Sequence, residues 1–382
     1  MKKRYLSIFL VMIIILNPVV SFGELDITSK AVLLMDYGTG KTIFAINEHE
    51  KMPPASVTKI MTLLLAMEAI DSGKLNLDNK IPISDYAAGM GGTQVYLEPG
   101  ETQRVEDLIK AVAIRSANDA AVALGEAISG TNEGFIKLMN ERAKSLGMND
   151  TNFTNASGLP ADDHYTTAYD IALMSRELLK HTGIQKYLTT YMDDLLVGKE
   201  KDDTQVMVNT NRLVRDYDGT TGIKTGSTKA AGYCISASAK RGDLQLIAVI
   251  LGGQTSAIRF NEAKKLLDYG FANYDSVTIG KKDDVIITVP IEKSNLTSID
   301  LVLERDAIAL LPKGNNGKID KQINHNESIR SPIMKGDILG ELIISVDNQE
   351  IDRINLISKN EVKSAGFLLQ FKRTVQSFLT GK

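Results

Sequence analysis

Ser56 and Lys59 stand three residues apart where an apolar helical stretch begins, and no other serine in the chain is followed by lysine at that spacing. On a helix, residues three apart leave from the same face about one turn from each other. A lysine amine placed there takes a hydroxyl proton once it is neutral, and the apolar residues from Ile60 onward disfavour its ammonium form. A helix start also presents free N–H groups suited to an oxyanion. The chemistry implied is acyl transfer, with Ser56 as nucleophile and Lys59 as base.

Two further short patterns extend that reading. Ser116-Ala117-Asn118 falls between two helical segments, a loop position from which a hydroxyl and an amide could face Lys59. Lys224-Thr225-Gly226 lies on an expected strand, where the lysine supplies fixed positive charge and the glycine lets a substrate backbone approach. An extended peptide could pair with such a strand edge. Each pattern alone is weak, since Ser358-Lys359-Asn360 repeats the second by chance. In the order S-x-x-K, S-x-N, K-T-G, with helix, loop and strand contexts to match, they form a specific signal.

The elements that must position these residues are legible from periodicity and turn chemistry. Residues 31–36 and 42–46 read as a hairpin around Tyr37-Gly38-Thr39-Gly40. Residues 55–70 read as a helix buried all round, entered through Pro53 and Pro54. Helices are expected over 105–114, 119–128, 133–146 and 259–273, and strands over 222–227, 232–239 and 244–251. Beyond about Tyr274 short β-like runs separated by polar turns predict a second, smaller all-β domain. The tail places Phe367, Leu368, Phe371, Val375, Phe378 and Leu379 at helical spacing opposite Lys372 and Arg373. That spacing fits a helix in a membrane interface and a helix docked on the β domain equally.

At 382 residues and 43% apolar content the chain can bury a real core. Met1-Lys2-Lys3-Arg4, the apolar run from Tyr5 and the small residues near Gly23 describe a secretory signal peptide over 1–23. Its removal takes three cations and changes the formal charge from −3 to −3 − 3 = −6, which gives no footing for nucleic-acid binding. Cys234 is the single cysteine, so no disulfide forms within the chain, and its apolar surroundings predict an inert buried thiol. No Cys-His spacing indicates a metal, Asp162-Asp163-His164 reads as a turn network, and no cofactor is expected.

With these motifs the chain resembles the penicillin-recognising serine enzymes, and among them the low-molecular-mass penicillin-binding proteins that are D-alanyl-D-alanine carboxypeptidases of peptidase family S11. The resemblance rests on Pro54-Ala55-Ser56-Val57-Thr58-Lys59, Ser116-Ala117-Asn118-Asp119-Ala120, Asp163-His164-Tyr165-Thr166-Thr167-Ala168, Lys224-Thr225-Gly226 and Arg259-Phe260. It implies an α+β fold of the penicillin-binding and β-lactamase-like type: an antiparallel sheet flanked by helices, a helical subdomain, a small all-β domain and a C-terminal amphipathic helix. The implied divisions are a signal peptide over 1–23, a catalytic domain over 24–273, a β domain over 274–360 and a membrane-associating helix over 361–382.

The resemblance also implies roles. Ser56 attacks the penultimate D-alanine carbonyl of a peptidoglycan stem peptide with Lys59 as base, and Ser116 relays the proton to the departing D-alanine. Asn118 holds the peptide, Lys224 keeps the field positive, Gly226 lies along the substrate, and Thr225 and Arg259 bind the terminal carboxylate. The oxyanion sits between the backbone N–H groups of Ser56 and Ser227, and His164 braces a loop. β-Lactams are expected as covalent inhibitors, and the enzyme is expected at the outer face of the cytoplasmic membrane, held through its C-terminal helix. Ser227 departs from the larger ring side chain of many relatives, which leaves peptide preference open. A β-lactamase of class A would also need a glutamate between the second and third motifs, and residues 142–176 contain none. Endopeptidase, transpeptidase or β-lactamase activity through the same acyl-enzyme, and a non-catalytic peptidoglycan-binding scaffold, are the alternatives.

Overall fold

The computed structural model describes residues 25–314, 317–326 and 328–366; the expected signal peptide and the greater part of the expected terminal helix lie outside them. A five-stranded antiparallel sheet forms the centre. Its strands are β1 (Ala31–Asp36), β2 (Thr42–Ile46), β3 (Thr220–Thr228), β4 (Gly232–Arg241) and β5 (Leu244–Gly253), in the spatial order β2-β1-β5-β4-β3. Every residue of β1 is buried, because both faces of the sheet are covered. Ala31, Leu33 and Met35 join one core with Ile247 and Val249, while Val32 and Leu34 join the other with Leu246 and Ala248. That is the period-2 alternation of a strand, hidden in the sequence because both sides are apolar.

On the first face lie α1 (Lys59–Asp71), α2 (Val105–Lys110), α3 (Asn118–Ser129), α4 (Asn132–Ser145) and α5 (Ala168–Leu178). Helix α1 buries ten of its thirteen residues, consistent with its unbroken apolar sequence. The other face is covered by α6 (Ser256–Asn273), whose Phe260, Ala263, Leu267 and Phe271 meet the sheet as their spacing predicts. Helix α5 and a hairpin of Met192–Val197 with Asp203–Val208 are elements that sequence periodicity did not predict. A start signal for α5 is nonetheless present: Thr167 Oγ1 accepts the Asp170 N–H at 3.1 Å, an N-cap.

Two departures from ideal helices matter for the site. The expected helix from residue 55 opens instead as a 3₁₀ turn, Ala55–Thr58, before α1 begins at Lys59. Helix α2 does not run on to residue 114; it passes into a π turn over Ala111–Arg115 that delivers Ser116 in a left-handed conformation, φ 69°.

From Tyr274 the described residues form strands joined by turns, with one six-stranded and one two-stranded sheet around a core that includes Leu301, Leu342, Ile344 and Leu356. Residues 361–366, which the sequence pattern assigns to the tail, run along this β domain instead. Val362 bridges Ile333 and Ser364 bridges Ser294. Among the described residues no helix is long and apolar enough to cross a membrane.

Candidate active site

The 3₁₀ turn explains the contact between Ser56 and Lys59 better than an α-helix would. At three residues per turn, side chains i and i+3 eclipse. Lys59 Nζ accordingly lies 3.1 Å from Ser56 Oγ. It also donates to Asn118 Oδ1 at 2.6 Å and to the Ser157 carbonyl at 2.6 Å. All three partners are neutral. As an ammonium, Nζ donates to all of them; as a free amine it keeps the two shorter bonds and turns its lone pair on the Ser56 hydroxyl.

The surroundings favour the amine. Lys59 is 0% exposed, and burial holds its pKa well below the usual lysine range; the Lys224 cation lowers it further and the Asp119 carboxylate opposes both. Lys224 is itself buried and pushed down to about 7, first by burial and then by Arg259. Three cationic side chains thus share one desolvated region, and each makes the next easier to deprotonate.

Asn118, Lys224 and Gly226 adjoin this pair. Ser116, 5% exposed, closes the π turn, and Asn118 begins α3 two residues later. Both ends of the Asn118 amide are engaged, Oδ1 by Lys59 and Nδ2 by the Gly91 carbonyl at 2.6 Å. Its place is therefore against the base, a more specific position than the peptide-holding role implied by resemblance. Strand β3 brings Lys224, Thr225 and Gly226 to the edge of the sheet, beside the nucleophile. A Cβ on Gly226 would stand 2.7 Å from the Ser56 nitrogen and 2.9 Å from that of Val57, so only glycine lets the strand lie so close to the turn. Thr225 Oγ1 donates to Thr210 Oγ1 at 2.8 Å, and Ser227 is exposed at the next position along the strand.

Arg259 approaches from α6 behind the strand. Its Nη1 donates to the carbonyls of Gly226 at 3.0 Å and Cys234 at 3.3 Å, and its guanidinium lies over the Tyr233 and Phe260 rings. Burial lowers its pKa to about 10. Its Nε is buried with no hydrogen-bond partner. The fork is thus fixed to β3 at Gly226, the residue that packs against the Ser56 backbone.

Two contributors were not identified from sequence. The Ser157 carbonyl, which holds Lys59, belongs to a turn in which Asn155 Oδ1 accepts the N–H groups of Ser157 at 3.1 Å and Gly158 at 2.7 Å. Asn-x-Ser-Gly is a turn signal, and it could have drawn attention to this backbone. Gly158 has φ +82° and packs on the Ala55 carbonyl, where any Cβ would collide. The second is Thr58. His164 Nδ1 accepts the Thr154 N–H at 2.9 Å, which leaves Nε2 as the donor to Thr58 Oγ1 at 2.9 Å. Thr58 in turn donates to the Ala55 carbonyl at 2.9 Å. His164 therefore ties the loop to the nucleophile turn, and burial pushes its pKa down to about 4. A cavity of about 80 Å³ opens here between Pro54, Gly158, His164 and Thr228. Cys234 is buried and its thiol pushed up to about 11, also by burial.

Comparison with known proteins gives a consistent result. Residues 19–255 match the family model described as D-alanyl-D-alanine carboxypeptidase, and residues 274–364 match that described as penicillin-binding protein 5, C-terminal domain. The chain is 40% identical over 384 residues to D-alanyl-D-alanine carboxypeptidase DacF of Bacillus subtilis, covering 98% of each. Among solved structures it is similar to penicillin binding protein 5 from Haemophilus influenzae, with TM-score 0.74 and 29% identity over 88% of this chain and 98% of that one. Penicillin-binding protein D2 from Listeria monocytogenes, solved in an ampicillin-bound form, is 32% identical with TM-score 0.58, over 65% of this chain and 99% of that one.

Proposed function

This chain belongs to the D-alanyl-D-alanine carboxypeptidase family, peptidase S11, and is a serine-type D-Ala-D-Ala carboxypeptidase that binds β-lactams; we propose that it acts through an acyl-enzyme on Ser56. The observation that carries this assignment is the Lys59 amine at 3.1 Å from Ser56 Oγ, buried among neutral partners.

Neutral Lys59 accepts the hydroxyl proton as Ser56 Oγ bonds to the carbonyl carbon of the penultimate D-alanine. The negative charge that develops on the carbonyl oxygen faces the backbone N–H groups of Ser56 and Ser227. Collapse breaks the C–N bond, and the departing D-alanine amine takes the proton from Lys59 by way of Ser116. Water then adds to the ester and gives a proton to Lys59; as the ester C–O bond breaks, Lys59 returns that proton to Ser56 Oγ, leaving the shortened peptide as a carboxylic acid with Ser56 and the amine restored. Support for the substrate's path comes from β3 being an edge strand, along which an extended peptide can add, with Lys224, Thr225 and Arg259 at the end where the terminal carboxylate lies.

The β-lactam adduct uses the same acylation but leaves an ester that this site clears slowly. No glutamate between residues 142 and 176 is available to drive water onto it. The scaffold alternative has no use for a buried amine poised on a serine. Exposure of purified protein to fluorescent penicillin tests the proposal: a covalent adduct on Ser56, absent in Ser56→Ala, is expected, and labelling that survives Ser56→Ala would overturn it.

The same proposal extends to location. The charged, then apolar, first 23 residues support export, and the apolar and basic faces of the tail support attachment to the outer face of the cytoplasmic membrane.

A further inference from the structure

Asp119 follows Asn118 directly and plays no part in the steps above, yet it is 0% exposed. Its partners are backbone N–H groups: Val95 at 3.2 Å, Leu97 at 3.1 Å and Ala120 at 2.9 Å. Earlier in the same segment, the Thr93 carbonyl accepts the Asn118 N–H at 2.7 Å and the Gly91 carbonyl accepts from Asn118 Nδ2. Segment 91–97 is therefore clipped twice to one dipeptide, by the amide of Asn118 and by the carboxylate of Asp119. Between the two N–H groups bound at Val95 and Leu97 stands Tyr96, 60% exposed and at φ 59°. A bulky residue holds such a φ only where its surroundings over-determine it, and strain of that kind clusters at functional sites.

The clip leads to the base. Asn118 Oδ1 receives Lys59 Nζ at 2.6 Å, so whatever fixes segment 91–97 also fixes the amide that aims the amine. The charge matters as well: the groups acting on Lys59 are the Lys224 cation and the Asp119 carboxylate, and Arg259 acts on Lys224 behind it.

We propose that Asp119 is a positioning residue for acyl transfer: it holds segment 91–97, and through it the Asn118 amide, against Lys59, while its buried negative charge offsets part of the cationic field at the base. The inference rests on the reading of Lys59 as base to Ser56.

The test is the rate of acylation of full-length protein by fluorescent penicillin as a function of pH, for wild type, Asp119→Asn and Asp119→Ala. In Asp119→Asn an oxygen remains to accept from Val95 and Leu97 but the charge is gone. Lys59 then loses its one opposing anion and deprotonates more easily. The half-point of the acid limb is expected to fall by about half a pH unit or more. Asp119→Ala removes the clip, and its plateau rate is expected to fall about tenfold or more. If Asp119→Ala does not fold, Asp119→Asn still decides. A carboxylate of purely structural role would lower the rate and leave the half-point in place, and that result would overturn the inference. Wild type that resisted acylation altogether would instead overturn the parent reading, so the two failures are distinguishable.

Discussion

Lys59 Nζ and Asn118 Oδ1 lie 2.6 Å apart, closer than Lys59 lies to the serine it serves. The amine is therefore aimed by a neutral amide and a backbone carbonyl, with no carboxylate bonded to it, and its protonation is set by burial and the Lys224 cation against the opposing Asp119 carboxylate.

Lys224 should control the pH dependence of acylation. Acylation needs neutral Lys59, so the rate rises as pH rises through the pKa of that amine. The Lys224 cation lowers this pKa, and removing it in Lys224→Met should move the acid limb to higher pH while lowering the plateau. Rates of covalent penicillin labelling across pH 5–9 measure both. A limb that stays in place would show that Lys224 does not act on the base electrostatically.

Gly226→Ala should fold but acylate slowly. The added Cβ meets the Ser56 and Val57 nitrogens, forcing β3 away from the Ser56 turn and widening the gap between the Ser56 and Ser227 N–H groups proposed to hold the oxyanion. A loss of about 10²-fold or more in acylation rate, the cost typical of one oxyanion donor, is expected with a near-native thermal melt. A rate within threefold of wild type would contradict this geometry.

His164 should appear in stability and be silent in the activity profile near neutrality. Its folded pKa, about 4, lies below the ordinary 6.5, so the unfolded chain binds more protons between those values. Stability is then fully present above about pH 6.5 and falls as pH drops toward 4, by roughly 3 kcal/mol for this one group. Denaturant unfolding at pH 7 and pH 4.5 should show His164→Asn losing less stability than wild type over that interval. Equal losses would contradict the assignment.

The tail prediction takes its boundary from the β domain. Since Val362 and Ser364 pair within that domain, truncation should begin at Phe367. Removing 367–382 should release the protein from membranes with D-alanine release intact; unchanged membrane partition would sink the anchor proposal.

What was legible in the sequence follows a physical pattern. Ser56, Lys59, Ser116, Asn118 and Lys224 carry their chemistry in side chains, and the structure gathers Ser56, Asn118 and Lys224 around Lys59, with Ser116 buried two residues before Asn118. The Ser157 carbonyl was not legible, because a backbone oxygen has no residue signature and only the Asn155 turn hinted at it. Strand β1, buried on both faces, shows no alternation in sequence, and the turn chemistry of Tyr37-Gly38-Thr39-Gly40 is what marks it. The π turn at 111–115 was hidden because its apolar residues fit α-helical periodicity, though it is what sets Ser116 in a left-handed conformation. Thr167 caps α5, but apolar periodicity does not reveal the helix, and Asp163–Ala168 stands out in the sequence for the family resemblance it carries.

The central claim is that Ser56 and Lys59 together release D-alanine from the end of a wall peptide. Incubating purified protein with a peptide ending in D-alanyl-D-alanine, while free D-alanine is measured, tests it most directly. Steady release by wild type that disappears in both Ser56→Ala and Lys59→Ala is predicted. Release that persists in either variant, or is absent from folded wild type, would contradict it.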